Sequence, residues 1–302
     1  MKIGIVGVSG YGGSELLRLC IGHPAFQIAY VGGEASAGQS LAQRFPALAG
    51  HPAGKLTIEP FVPERAGGVD LLFVSLPTGK SREPLAKVPR GTRIVDVGGD
   101  HRFVDGWTYG LTELPGQRER IRGASRVANP GCYPAAALLA LAPLLREGLI
   151  DPEGIVIDAK SGVTGTGRGG ASDFGYAETN EDLFAYGLEE HPHVPEMQEA
   201  LSRVAGRKAS IAFTPHLVPM TRGILATCYA RPSGACDADR LRAAAQACYR
   251  DEPFVKVVAP DNGRGPHTGW ATGSNLAFLS YAVNAQTGLV VALGAIDNLG
   301  KG

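Results

Sequence analysis

The chain has 302 residues, room for two domains of ordinary size, and its 44% apolar and 19% charged residues are a normal globular balance. Lys+Arg and Asp+Glu both total 29, so no net field draws it to nucleic acid or an anionic membrane, and no apolar run reaches the ~18 residues of a membrane helix. The five cysteines, an odd number with no CxxC pair, argue against disulfide and zinc frameworks and for a reducing, cytoplasmic setting; the N-terminus enters a strand directly, without a signal-peptide pattern.

Residues 2–6 read as a short strand, followed at once by Gly7-Val8-Ser9-Gly10-Tyr11-Gly12-Gly13. A helical pattern spans 14–20 and a second strand 27–31. Glycines at 7, 10 and 13 allow a tight turn, a backbone close to a pyrophosphate, and a helix N-terminus facing negative charge. Gly7, Ser9, Gly10, Tyr11, Gly12 and Gly13 are therefore candidate dinucleotide contacts. After the second strand, Glu34 would bond a ribose 2′-OH and favour NAD, whereas Ser36 would help hold a 2′-phosphate and favour NADP. Spacing alone leaves both open.

A third strand at 69–77 ends in a loop with Pro77 and Thr78, at the carboxyl edge where open α/β sheets bind ligands. A fourth strand, 92–99, leads into Asp100-His101-Arg102-Phe103, and a short fifth, 126–128, into Asn129. Strands alternating with helices predict an α/β fold with a doubly wound parallel sheet.

Next comes Asn129-Pro130-Gly131-Cys132-Tyr133-Pro134, opening an uncharged run of helix formers to Leu145. Pro134 suits a first helical turn, where its missing N–H loses nothing. A thiol at a helix N-terminus meets free N–H groups and the positive dipole end, which favour thiolate. Cys132 is thus a candidate nucleophile at the same sheet edge as the cofactor loops; the alternative is a buried structural cysteine.

Punctuation at 148–152 predicts a domain boundary there: residues 1–148 bind the cofactor, 149–297 form a catalytic and oligomerisation domain, and 298–302 return towards the first. A strand at 154–159 precedes the glycine-rich segment 160–170, whose Ser161, Gly162 and Arg168 suit an anion. In His191-Pro192-His193-Val194-Pro195-Glu196, His193 and Glu196 form a candidate acid/base pair at a helix start. The two prolines break the regular helix that an HExxH metal motif needs, so no metal is expected. Strands at 209–214, 223–230, 254–258, 275–283 and 289–296, an irregular loop at 215–223 and a helix at 237–250 predict an α+β domain with a mixed or antiparallel sheet. One broad face without covering helices suggests a subunit interface, hence a homo-oligomer, dimer or tetramer.

A nucleotide turn, a thiol at a helix start and a later histidine fit a thiol attacking an acyl carbon beside a nicotinamide, with an acyl phosphate as a suitable partner. Over nearly its whole length the chain resembles the N-acetyl-γ-glutamyl-phosphate reductase family of arginine biosynthesis, within the semialdehyde-dehydrogenase group. The resemblance rests on the 7–13 turn, 129–134, Ser161-Gly162-Val163-Thr164-Gly165, 191–196, Pro215-His216-Leu217-Val218-Pro219-Met220-Thr221-Arg222-Gly223, and Ala295-Ile296-Asp297-Asn298-Leu299. It implies a Rossmann-type cofactor domain, NADP as cofactor, a small acyl-phosphate substrate and phosphate as product. It implies a thioester on Cys132, His193 as acid/base with Glu196 orienting it, and contacts to substrate from Asn129, Gly131, Arg102, Ser161, Gly162, Arg168 and His216. Asn298 joins the expected cofactor contacts. The chain departs from the family at Ala135, usually a hydroxyl residue, at Pro192, usually Arg, and in residues 99–102; the family usually continues beyond Gly302 into a helix that returns to the cofactor domain. The rival readings are a related reductase of aminoadipyl or aspartyl phosphate, and a nucleotide sensor without turnover.

Overall fold

The computed structural model describes residues 1–168 and 176–302. They form two compact units, 1–110 with 119–130, and 111–118 with 131–302. The division falls before Cys132 and not at residue 148, because the uncharged helix after it packs on the second unit's strands. Residues 298–302 also belong to the second unit.

In the first unit, β1 (Lys2–Val6), α1 (Tyr11–Ile21), β2 (Gln27–Gly32), α2 (Leu41–Arg44), β3 (Leu71–Val74), α3 (Arg82–Ala86), β4 (Arg93–Asp96), β5 (Thr108–Tyr109) and β6 (Arg126–Ala128) build a parallel six-stranded sheet, ordered β2-β1-β3-β4-β6-β5. The helix α4 (Gln117–Gly123) runs across the division in the chain. Strand alternation sends Ile3 and Ile5 to a core with Leu17 and Cys20 of α1, and Val6, Leu72 and Val74 to another with Leu85 of α3. The doubly wound expectation holds. The order reverses beside β1, which places the Gly7 turn and the end of β3 at a topological switch point. The two-residue β5 has too few residues to show a period in the sequence.

In the second unit, α5 (Cys132–Arg146), β7 (Ile155–Gly162), α6 (Tyr176–Thr179), β8 (Phe184–Ala185), α7 (His193–Ala205), β9 (Ile211–Val218), β10 (Ile224–Ala230), α8 (Ala238–Cys248), β11 (Val255–Val257), α9 (Thr268–Ala271), β12 (Ala277–Val283) and β13 (Val290–Ile296) contribute a mixed seven-stranded sheet ordered β11-β12-β13-β10-β7-β9-β8. Two segments read as loops prove extended. Lys160, Ser161 and Gly162 complete β7, and β9 runs through Pro215 to Val218. Proline is tolerated in β9 because its nitrogen, like its carbonyl, which accepts the Tyr186 amide at 3.1 Å, is on the side where only the two-residue β8 pairs.

Every residue of α5 from Tyr133 to Leu145 is buried. Such an apolar helix needs cover on all sides, and β10, β12, β13, α7 and α8 supply it. Gly294 of β13 lies so close that a Cβ there would stand 2.4 Å from the Ala136 carbonyl oxygen. Pro143 sits inside α5 and cannot donate to Leu139 O four residues back. The Tyr249 hydroxyl donates to that oxygen at 2.8 Å, and Tyr281 donates to Ala140 O at 3.1 Å. The opposite sheet face presents Val156, Leu225, Thr227, Tyr229, Val291 and Leu293, all at least partly exposed. At one corner Trp270 of α9 packs edge-on against Phe278, with ring centroids 5.5 Å apart.

Candidate active site

The first unit carries the cofactor features. Gly7 has φ +79°, and a Cβ there would meet Ser75 O at 2.0 Å; a Cβ on Gly13 would meet Gly7 O at 2.0 Å. Glycine is required at both by close backbone approach. A Cβ on Gly10 would meet only Gly7 O, at 3.4 Å, and no side chain caps α1. The first amides of α1 thus offer a cradle suited to a pyrophosphate. Ser9 Oγ donates to Ser36 Oγ at 2.8 Å, and Arg44 Nη2 lies 3.5 Å from Ser9 O. Glu34 instead accepts the Phe61 amide at 3.1 Å. Two hydroxyls beside a guanidinium suit a 2′-phosphate better than a bare 2′-OH. Arg44 carries no motif signal and is found only because α2 folds back towards this turn.

Pro77 and Thr78 are exposed at the carboxyl edge of the sheet. Behind them the amides of Gly79, Ser81 and Arg82 converge on the Asp100 carboxylate at 2.5, 2.8 and 3.3 Å. Burial raises the Asp100 pKa, but these amides and the Ser81 hydroxyl outweigh it and hold the carboxyl below its ordinary value. At the end of β6, Arg102 Nε donates to Asn129 O at 3.0 Å, and Asn129 Nδ2 to Pro130 O at 3.2 Å.

The second unit carries the thiol. Gly131 is the extended N-cap residue of α5, and Cys132 is its first, partly exposed residue. Glu196 is buried in the first turn of α7, and its Oε1 accepts the Gly131 amide at 2.9 Å. That bond uses the one proton of the Gly131 amide within the protein. His193 opens α7, one helical turn from Glu196. Its backbone amide donates to His191 Nδ1 at 3.1 Å, so the neutral His191 ring carries its proton on Nε2. Burial lowers the His191 pKa, in keeping with that neutral form.

Tyr133, directly after the thiol, collects these side chains. Its ring lies 6.0 Å from both His191 and His193 and 5.2 Å from Phe213, centroid to centroid. Its hydroxyl is 3.1 Å from Tyr186 Oη and donates to His216 O at 3.1 Å. Burial first, then Tyr186 and the nearby Cys132 charge, push the Tyr133 pKa up; burial also carries Tyr186 up to about 12. Tyr133 lies in the first turn of α5, whereas Tyr186 follows β8 and His191 precedes α7, so their meeting shows only in the fold.

Four further site candidates have these surroundings. His216 alternates with the buried Pro215 and Leu217, so its side chain points to the other sheet face, where Nδ1 lies 3.1 Å from Asp158 Oδ1, within ion-pair distance but without hydrogen-bond geometry. Ser161 Oγ donates to Gly162 O, and a Cβ on Gly162 would meet the backbone of residues 220–222 within 2.9 Å. Asn298 is buried, with Oδ1 accepting the Gly223 amide at 2.7 Å and Nδ2 donating to Thr164 Oγ1 at 3.0 Å, which commits its side chain to the second unit. Arg168 is exposed; Gly169 and Gly170 of the glycine-rich segment lie outside the described residues. Among the described residues no group of His, Cys, Asp and Glu is arranged to hold a metal.

Residues 2–124 match the family model of the semialdehyde dehydrogenase NAD-binding domain, and residues 132–298 that of the semialdehyde dehydrogenase dimerisation domain. Fold and matches thus define the class, a two-domain semialdehyde dehydrogenase. Solved structures share the fold: aspartate semialdehyde dehydrogenase II from Vibrio cholerae complexed with ASA superposes with a TM-score of 0.75 at 14% identity, covering 99% of this chain and 94% of that one. The Candida albicans enzyme with NADP does so with 0.75 at 14%, covering 99% and 96%. Among curated relatives, the N-acetyl-gamma-glutamyl-phosphate reductases of Bradyrhizobium sp. (strain ORS 278) and Methylobacterium sp. (strain 4-46) are 55% and 53% identical over 100% of this chain and 91% of theirs. The chain belongs to the N-acetyl-gamma-glutamyl-phosphate reductase family.

Proposed function

We propose that this chain catalyses the NADPH-dependent reductive dephosphorylation of N-acetyl-γ-glutamyl phosphate to N-acetylglutamate 5-semialdehyde, in arginine biosynthesis. The observation that carries the mechanism is Cys132 as first residue of α5, with the His193 ring against the neighbouring Tyr133. His193 takes the thiol proton as Sγ bonds to the acyl carbon. The bond from that carbon to the phosphate oxygen then breaks and inorganic phosphate leaves, giving a thioester. Bound NADPH supplies the hydride for reduction of that thioester. Cleavage of the sulfur–carbon bond frees the aldehyde and restores the Cys132 thiolate, with His193 holding its proton.

Residues 7–13 would hold the pyrophosphate, Ser9, Ser36 and Arg44 the 2′-phosphate, and Pro77 and Thr78 flank the cofactor. Arg102, Arg168 and Asn129 face the substrate's anionic and polar groups. Glu196 steadies Cys132 through Gly131. A second copy of the chain covers the open sheet face, in keeping with the dimerisation-domain match. The setting is the cytoplasm, where a catalytic thiol and four further free cysteines stay reduced.

The test is the reverse reaction: purified chain, N-acetylglutamate 5-semialdehyde, inorganic phosphate and NADP, followed at the nicotinamide absorbance. A phosphate-dependent rise is expected. No rise with this aldehyde, and a rise with aspartate semialdehyde, would overturn the substrate assignment.

A further inference from the structure

Arg102 is flanked by two unusually constrained residues. Its predecessor His101 is 5% exposed; its Nδ1 lies 2.7 Å from Oδ2 of Asp96, a carboxylate with no exposed surface at the end of β4. The same Oδ2 lies 2.8 Å from Ser81 Oγ, whose single proton is shared with Asp100 Oδ2 at 3.0 Å, and Oδ1 accepts the Gly98 amide at 3.0 Å. The His101 ring stacks on Trp107 at 3.9 Å between centroids and 22° between planes, and Arg126 lies over the Trp107 ring. The successor, Phe103, has φ +55°, a left-handed conformation that is strained for a bulky residue. Its ring stacks on Tyr109 at 4.4 Å. Such strain persists only where the surroundings over-determine it.

Between these anchors Arg102 Nε and Nη2 donate to the carbonyls of Asn129 and Val97 at 3.0 and 3.4 Å. A long guanidinium side chain ordinarily loses about 2 kcal/mol of rotamer entropy when fixed, and anchoring before the ligand arrives removes part of that loss from binding. Burying a carboxylate with three hydrogen-bonding partners does nothing for a freely moving surface arginine. We infer that His101 is a positioning residue: through Asp96 and Trp107 it fixes the backbone from which Arg102 binds phosphate, with Phe103 as the second anchor.

This inference rests on the proposed reaction, and its test separates the two. His101→Phe keeps a ring for Trp107 but removes the donor to Asp96; in His101→Asn an amide nitrogen takes the place of Nδ1. In the phosphate-dependent reverse reaction, His101→Phe is expected to raise the KM for phosphate about ten- to a hundredfold, the effect of losing a hydrogen bond to a charged group. The KM for NADP and kcat stay near the parent values, and His101→Asn recovers most of the loss. Titration calorimetry of inorganic phosphate on the full chain gives the same ranking without turnover. An unchanged phosphate KM and affinity in His101→Phe overturns the positioning role, as does an equal loss in His101→Asn. An inactive parent chain that still binds phosphate less well as His101→Phe would count against the reaction and leave the positioning role standing.

Discussion

At the scale of single residues, the second-unit site divides chemistry from support. In the proposed reaction Cys132 and His193 do the chemistry; Cys132→Ser should abolish almost all turnover in the NADP assay, and retained activity would refute the thioester. For His193→Ala the expected loss is about 10²–10⁴-fold, the usual range for a missing general acid–base group, with a changed pH–rate profile. Glu196 separates by substitution: Glu196→Gln keeps an acceptor for the Gly131 amide and should leave melting nearly unchanged. Glu196→Ala leaves that amide unpaired and buried, costing about 1–3 kcal/mol in denaturant unfolding. The other cysteines provide a control. Burial pushes Cys20 up to about 11 and Cys228 up to about 12, so mass spectrometry after alkylation at neutral pH should find both unmodified and Cys132 modified unless substrate protects it.

At the scale of elements, the cofactor turn was legible because glycine has few substitutes where backbones meet. Gly7 and Gly13 face carbonyl oxygens, and the strand–glycine–helix order shows in the sequence. Cys132 at the head of α5 was legible for a similar reason, since an uncharged run after a proline-glycine pair has few readings. Arg44 and Tyr186 were not, because long-range folding brings them to their partners and local spacing records none of it. The misplaced His216 shows the limit of motif transfer: the segment matches, yet strand alternation turns that side chain to the other face. Arg44→Ala should raise the KM for NADPH about ten- to a hundredfold, as expected for losing a charged hydrogen bond, and leave NADH kinetics nearly unchanged. Equal effects on both cofactors would remove Arg44 from the 2′-phosphate site.

At the scale of the whole molecule, the exposed sheet face is where the proposed second copy would sit, and the buried tyrosines bear on when the fold fails. Tyr229→Asp places a charge among Leu225, Val291 and Leu293 and should shift sedimentation towards the monomer; an unchanged coefficient would place the subunit contact elsewhere. Burial holds Tyr133, Tyr249 and Tyr281 protonated well above the ordinary tyrosine range. A raised folded-state pKa gives stability that is full below about pH 10, the unfolded value, and falls as pH rises past it. Alkaline absorbance titration should therefore show these three ionising only together with unfolding.

The Tyr249 hydroxyl on Leu139 O has one more consequence. Pro143 deprives α5 of a bond it cannot make for itself, and the missing donor comes from the end of α8, more than a hundred residues later. Opening the helix that presents Cys132 therefore also breaks a bond to the end of α8. Amides of residues 136–142 should exchange with deuterium only through global opening, at the free energy of complete unfolding. In Tyr249→Phe they should exchange at a lower free energy than the strands of the second unit, and the nucleophile would then be held by a helix able to loosen while the sheet beneath it stays closed.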